Sequence, residues 1–167
     1  MSRSRKLLIL GGTVLAVLGM LYGLYYAVFV EHQTLDRMGG SLAGAFNHAA
    51  ERRWDDSQTA LTAYRGTKYD YIRQVDLHSH WIDLAMLLIV LGVVFDEVAF
   101  AERARFAIAL AMLTGSIVFP LGVILQTAHM VPQMAQLGGS ALAIAGSALV
   151  IAALAATAVG FMREGAS

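Results

Sequence analysis

Apolar positions along this chain do not alternate with polar ones; they gather into four long runs, at about residues 7–30, 77–95, 106–127 and 137–162. A helix rises about 1.5 Å per residue, so about 20 apolar residues cross the about 30 Å hydrocarbon layer of a membrane. The pattern predicts an all-α protein, an integral membrane four-helix bundle. The first run follows a basic head, Met1-Ser-Arg-Ser-Arg-Lys6, as a secretory signal would. It is far longer than the roughly 7 to 15 apolar residues of a signal core, and no small-x-small cleavage pattern precedes Glu31, so it is expected to stay as an anchor.

Between the first two runs, residues 31–76 are polar but keep a helical period. Leu42, Phe46, Ala49, Ala50 and Trp54 recur at helical spacing, and Ser57 reads as the N-cap of a second short helix through Ala60, Leu61 and Tyr64. This segment is expected to form a short helical extramembrane cap lying on the bundle. Tyr22, Tyr25, Tyr26, Tyr69, Tyr71 and Trp81 fall where rings can bury their bodies in an interface and keep their polar tips wet. Basic residues near the helix ends, Arg3, Arg5, Lys6, Arg103, Arg105 and Arg163, direct those ends to the cytoplasm. The segment 31–76 then lies outside, in the periplasm if the membrane is a bacterial inner membrane. Small residues, Gly12, Gly19 and Gly23 in the first run and Gly139, Ala143, Gly146 and Ser147 in the fourth, predict close helix contacts. Pro120 in the third run removes a backbone N–H and frees a carbonyl near Ser116.

Composition strengthens this picture. The chain of 167 residues is 57% hydrophobic and 14% charged, against about 45–50% and about 25% for soluble domains. Twelve Lys plus Arg balance twelve Asp plus Glu, which gives no electrostatic footprint for nucleic acid. With no cysteine there is no disulfide, thiolate nucleophile or Cys-ligated metal. No phosphate loop, nucleophile–base pair or pair of catalytic carboxylates is evident, so an autonomous hydrolase is not expected.

The chemistry therefore falls to histidine and carboxylate. His32 follows the first run, His48 lies in the cap, His78 and His80 open the second run, and His129 follows the third, so all five are predicted at the outer face. In Asp76-Leu-His-Ser-His-Trp-Ile-Asp83 two imidazoles and a carboxylate are carried toward the membrane, where ionisable groups are costly unless paired. Asp76, His80 and Asp83 share one helical stripe, while His78 points about 200° away from His80. The two histidines cannot face one ligand on a regular helix. An imidazole that binds haem iron or a divalent metal wants its other N–H held by a carboxylate or carbonyl. His78 with His129 would make an axial pair for haem b, with apolar walls from Met86, Leu87, Phe119 and the small residues of the fourth run, and with His80 and Asp83 beside them.

The run Leu77-His-Ser-His-Trp-Ile-Asp-Leu-Ala-Met-Leu-Leu-Ile-Val-Leu-Gly92 resembles the histidine-bearing second helix of haem-copper oxidase and nitric oxide reductase catalytic subunits. It resembles more closely the small membrane proteins whose helix carries His-x-His followed by an apolar run and Gly. The resemblance implies a haem b ligand at His78, with His80 at the less constant second position. Four spans, without the later histidines of the large subunits, leave nothing to build an oxygen-reducing centre. Three readings stay open. One is a haem b protein for one-electron transfer, acting with a quinone or a larger respiratory complex. Another is a copper or zinc binding or assembly protein using His32, His48, His78, His80 and His129. The third is a structural subunit that packs against other membrane subunits or a second copy of itself.

Overall fold

A computed structural model describes residues 1–127 and 133–164, and over them the chain is helical. The elements are α1 (Arg3–Tyr25), a π-helical turn (Tyr26–Val30), α2 (Glu31–Ala50), α3 (Trp54–Val94), a 3-10 turn (Phe95–Glu97), α4 (Glu102–Thr127) and α5 (Gln133–Glu164). Four helical stretches are long and apolar enough to cross a membrane: Arg3–Ala50, Trp54–Glu97, Glu102–Gln126 and Gly138–Arg163. Their apolar windows have mean hydropathies of 1.8 to 2.3. The chain divides into two compact units, Met1–Met20 with Leu77–Ser167, and Leu21–Asp76.

In the first unit, α1 and α3 run antiparallel. A Cβ added at Gly12 would meet the Ala85 carbonyl at 2.8 Å, and one at Gly92 would meet the Leu8 Cβ at 3.2 Å. Leu8, Leu15, Ala85, Leu88, Phe95, Ala109, Met112 and Ala153 form the buried core, with Leu113 and Phe161 packed against it. The tightest approach is between α4 and α5. A Cβ at Gly146 would sit 2.5 Å from the Phe119 amide nitrogen, and one at Gly115 would sit 2.6 Å from the Gly146 carbonyl oxygen. Gly122 meets the backbone of Ala143 and Gly139 in the same way. Only residues without a Cβ let two backbones touch, and in lipid such van der Waals contact, not water exclusion, holds helices together. The small-residue face expected in the fourth span is thus real at Gly139, Ala143 and Gly146; its partners in α4, Gly115 and Gly122, carried no comparable signal.

Pro120 lies inside α4 and is fully buried. It has no N–H to give the Ser116 carbonyl one turn back. The Ser116 hydroxyl is also buried and has no hydrogen-bond partner among the described residues.

In the second unit, residues 31–76 are not short cap helices. They are α2 and the first half of α3, joined by the turn at residues 51–53 and paired antiparallel. The Tyr71 hydroxyl donates to Glu31 Oε1 at 3.1 Å, the Tyr26 and Tyr71 rings lie 6.5 Å apart, and the Tyr22 hydroxyl donates to Gln74. Ser57 does not cap a helix; it lies one turn inside α3, and its buried hydroxyl donates to the Ala45 carbonyl across the pair at 2.9 Å. The turn closes with Arg53 N–H donating to His48 O and Arg52 N–H to Ala49 O, while Arg52 takes φ 59°. That is the hydrogen-bond pattern with which helices end on a left-handed residue, a position usually held by Gly.

Candidate functional site

The side chains singled out in the second span ride on α3, whose helical repeat separates them as expected. His78 turns toward α1, where its Nδ1 lies 3.1 Å from the Gly19 carbonyl oxygen. Gly19 has no side chain to hold α3 off; a Cβ there would lie 2.9 Å from Ile82. A carbonyl only accepts, so the shared proton belongs to His78 Nδ1.

His80 points elsewhere. With Asp83, Leu84 and Leu87 of α3, Phe119 of α4, and Ser147, Val150 and Ile151 of α5, it lines a pocket of about 570 Å³. The Phe119 ring meets the His80 imidazole edge-on, with centroids 5.8 Å apart and planes at 70°. Of the three ionisable groups of the predicted stripe, His80 and Asp83 open onto one apolar chamber, a size within the roughly 300–1,000 Å³ of small-molecule sites, while Asp76 belongs to the second unit. Beside the chamber α4 and α5 touch at Gly146 and Phe119, and Val150 and Ile151 follow at helical spacing from Ser147. Of the expected walls, Leu87, Phe119 and Ser147 are present; Met86 is instead 51% exposed and does not line the pocket. Leu84, Val150 and Ile151 were not legible as lining residues, since in a helix apolar all round nothing marks which flank meets a cavity.

His129 falls outside the described residues. His32 belongs to the second unit, where its Nε2 is 3.5 Å from Asp36 on the exposed surface of α2. His48, in the same unit, shares a 2.5 Å contact from its Nδ1 to the Arg53 guanidinium. Arg53 also pairs with the Glu51 carboxylate, at 2.6 Å. Among the described residues no three His, Asp or Glu side chains gather closely enough to hold a metal ion. Among its described residues the first unit offers one imidazole and one carboxylate on an apolar chamber, with a second imidazole tethered on the opposite flank of the same helix.

No family model, curated protein or solved structure matches this chain.

Proposed function

We propose that the chain is an integral membrane protein that binds haem b in the first unit and serves one-electron transfer as part of a larger redox assembly. The observation that carries the reading is the apolar chamber of about 570 Å³ into which α3 presents His80 and Asp83. Ionisable groups carried on an apolar span are costly unless they serve a ligand, a partner or a polar pathway. The residues fit the group. His80 offers an imidazole on the chamber wall, while Leu84, Leu87, Phe119, Val150 and Ile151 supply the apolar surface a porphyrin face requires. Haem bound there would supply a reversible one-electron couple. The protein's share is to hold the imidazole by its edge contact with Phe119, exclude water with the apolar walls, and keep Asp83 within the chamber as a proton or hydrogen-bond acceptor.

His78 supports the same reading from the other flank. Its Nδ1–H is held by a backbone carbonyl, the arrangement that fixes the tautomer of ligating imidazoles and leaves Nε2 for a metal. Resemblance favours His78 as the ligand and the chamber favours His80, and substitution separates them. The reduced-minus-oxidised visible spectrum of the detergent-purified protein is expected to show b-type bands. Loss of those bands in His80→Ala with retention in His78→Ala assigns the ligand to the chamber. The opposite result assigns it to the His78 set, with His129 as the second ligand. A featureless spectrum from cells grown with ample haem overturns the haem reading, and metal analysis of the same sample then decides between a copper or zinc protein and a structural subunit.

In this reading the end bearing Arg3, Arg5, Arg103 and Arg105 is cytoplasmic and residues 31–76 face the other side.

A further inference from the structure

At the end of the first unit where α1 and α4 begin, Arg3, Arg5, Arg103 and Arg105 stand with the carboxylates of Asp96, Glu97 and Glu102, and two of the arginines take two of the carboxylates. Arg5 pairs with Asp96 at 3.5 Å, and Arg105 pairs with Glu102 at 3.1 Å while also donating to the Asp96 carbonyl. Both carboxylates have further donors. Asp96 accepts from the Ser2 hydroxyl, and Glu102 accepts from the backbone N–H of Ser4 at 3.1 Å and from its hydroxyl. These bonds hold both carboxyls below the usual carboxylate range, chiefly through the Ser2 hydroxyl for Asp96 and the Ser4 backbone N–H for Glu102. The two acids are thus ionised and already committed to Arg5, Arg105 and the serines.

Arg3 and Arg103 are left over. Neither guanidinium has an ion-pair partner among the described residues, and together with Glu102 and Phe106 they line a separate pocket of about 280 Å³. Phe106 is where the apolar run of α4 begins, so the pocket has two unneutralised guanidiniums on its polar side and an aromatic ring at the edge of the predicted hydrocarbon layer.

We propose that this pocket binds the phosphate of an anionic phospholipid, with Arg3 and Arg103 on the headgroup and Phe106 against the start of an acyl chain. Guanidinium forks match phosphate oxygens in charge and in geometry, and basic pockets between helix ends are suited to anionic headgroups. A soluble anion would satisfy the arginines but leave the ring unused; a lipid uses both. The inference rests on the membrane reading and is independent of haem.

The test uses the full-length protein in nanodiscs of phosphatidylcholine containing a minority of phosphatidylglycerol, with native mass spectrometry counting retained lipids. Wild type is expected to retain phosphatidylglycerol in preference to phosphatidylcholine. Arg3→Gln/Arg103→Gln should lower that preference by roughly tenfold to thirtyfold, the effect of removing two cations near a charged headgroup. Arg65→Gln/Lys68→Gln, in the other unit, should leave it unchanged. Circular dichroism and thermal melting in pure phosphatidylcholine check that the double variant is folded; should it melt early, Arg3→Lys/Arg103→Lys replaces it, expected to keep the charge preference and weaken it only in part. Equal retention of the two lipids by wild type, an unchanged preference in the double variant, or release of the lipid by inorganic phosphate overturns the site. A protein that does not enter nanodiscs at all overturns the membrane reading and the site with it.

Discussion

Glu102 shows how one side chain can fasten two helix starts. Its carboxylate accepts the Ser4 N–H in the first turn of α1, one of the orphan donors at a helix start, while it opens α4 itself. Its pKa is held down in the folded protein, first by the Ser4 backbone N–H, so its stabilisation is complete above the ordinary carboxylate value of about 4 and fades as pH falls through the lower folded value. Melting temperature in detergent is expected to drop on acidification in wild type. Glu102→Gln should melt lower at neutral pH and show a shallower acid dependence, the two curves converging at low pH. This contact could not be read from the sequence, because Ser4 and Glu102 lie in different helices and nothing local links them. His78 and His80 are the contrary case: their divergence follows from helical repeat alone, and the structure has one on Gly19 and the other in the chamber. What the repeat could not supply was the identity of the facing surfaces.

Among elements, the long helices were legible because apolar length needs no tertiary knowledge, whereas the extent of α3 was not. The span expected to begin near residue 77 is the second half of a helix that starts at Trp54, since nothing between Ser57 and Asp76 breaks a helix strongly. The turn before it was also hidden: an arginine, not a glycine, takes its left-handed position. That conformation costs a residue with a Cβ about 1 kcal/mol or more, so Arg52→Gly is expected to raise stability by about 1 kcal/mol in denaturant titration. The α4–α5 pair makes the opposite demand. A side chain at position 146 would strike the Phe119 backbone, which cannot move aside as a flexible side chain would. Gly146→Val should force the helices apart, cost about 2 kcal/mol or more, and abolish the haem binding proposed for the chamber, as read by thermal melting and the visible spectrum. Gly39→Ala, at a position with nothing within 4 Å, is the matched control expected to melt no earlier than wild type.

For the molecule as a whole, the orientation proposed from its arginines has a direct assay, since the chain contains no cysteine. A cysteine introduced at Arg52 should react with a membrane-impermeant maleimide in intact cells, and one introduced at Ser2 should react only after lysis; the reverse pattern would invert the topology. The π-helical turn bears on a different whole-chain property, its tolerance of insertions and deletions. Within that turn the Glu31 N–H reaches back five residues to the Tyr26 carbonyl, one residue further than an α-helix would. Deleting a single residue there would restore an uninterrupted α-helix and leave the following stretch facing much as before, with Thr34 and Ala45 still buried, because the π turn spends one residue more than an α turn on about the same rotation. A deletion at the exposed turn of residues 51–53 changes only a connection. The gene is thus expected to accept a one-residue deletion at either end of α2 and to refuse one within it, where every residue beyond would turn by about 100°.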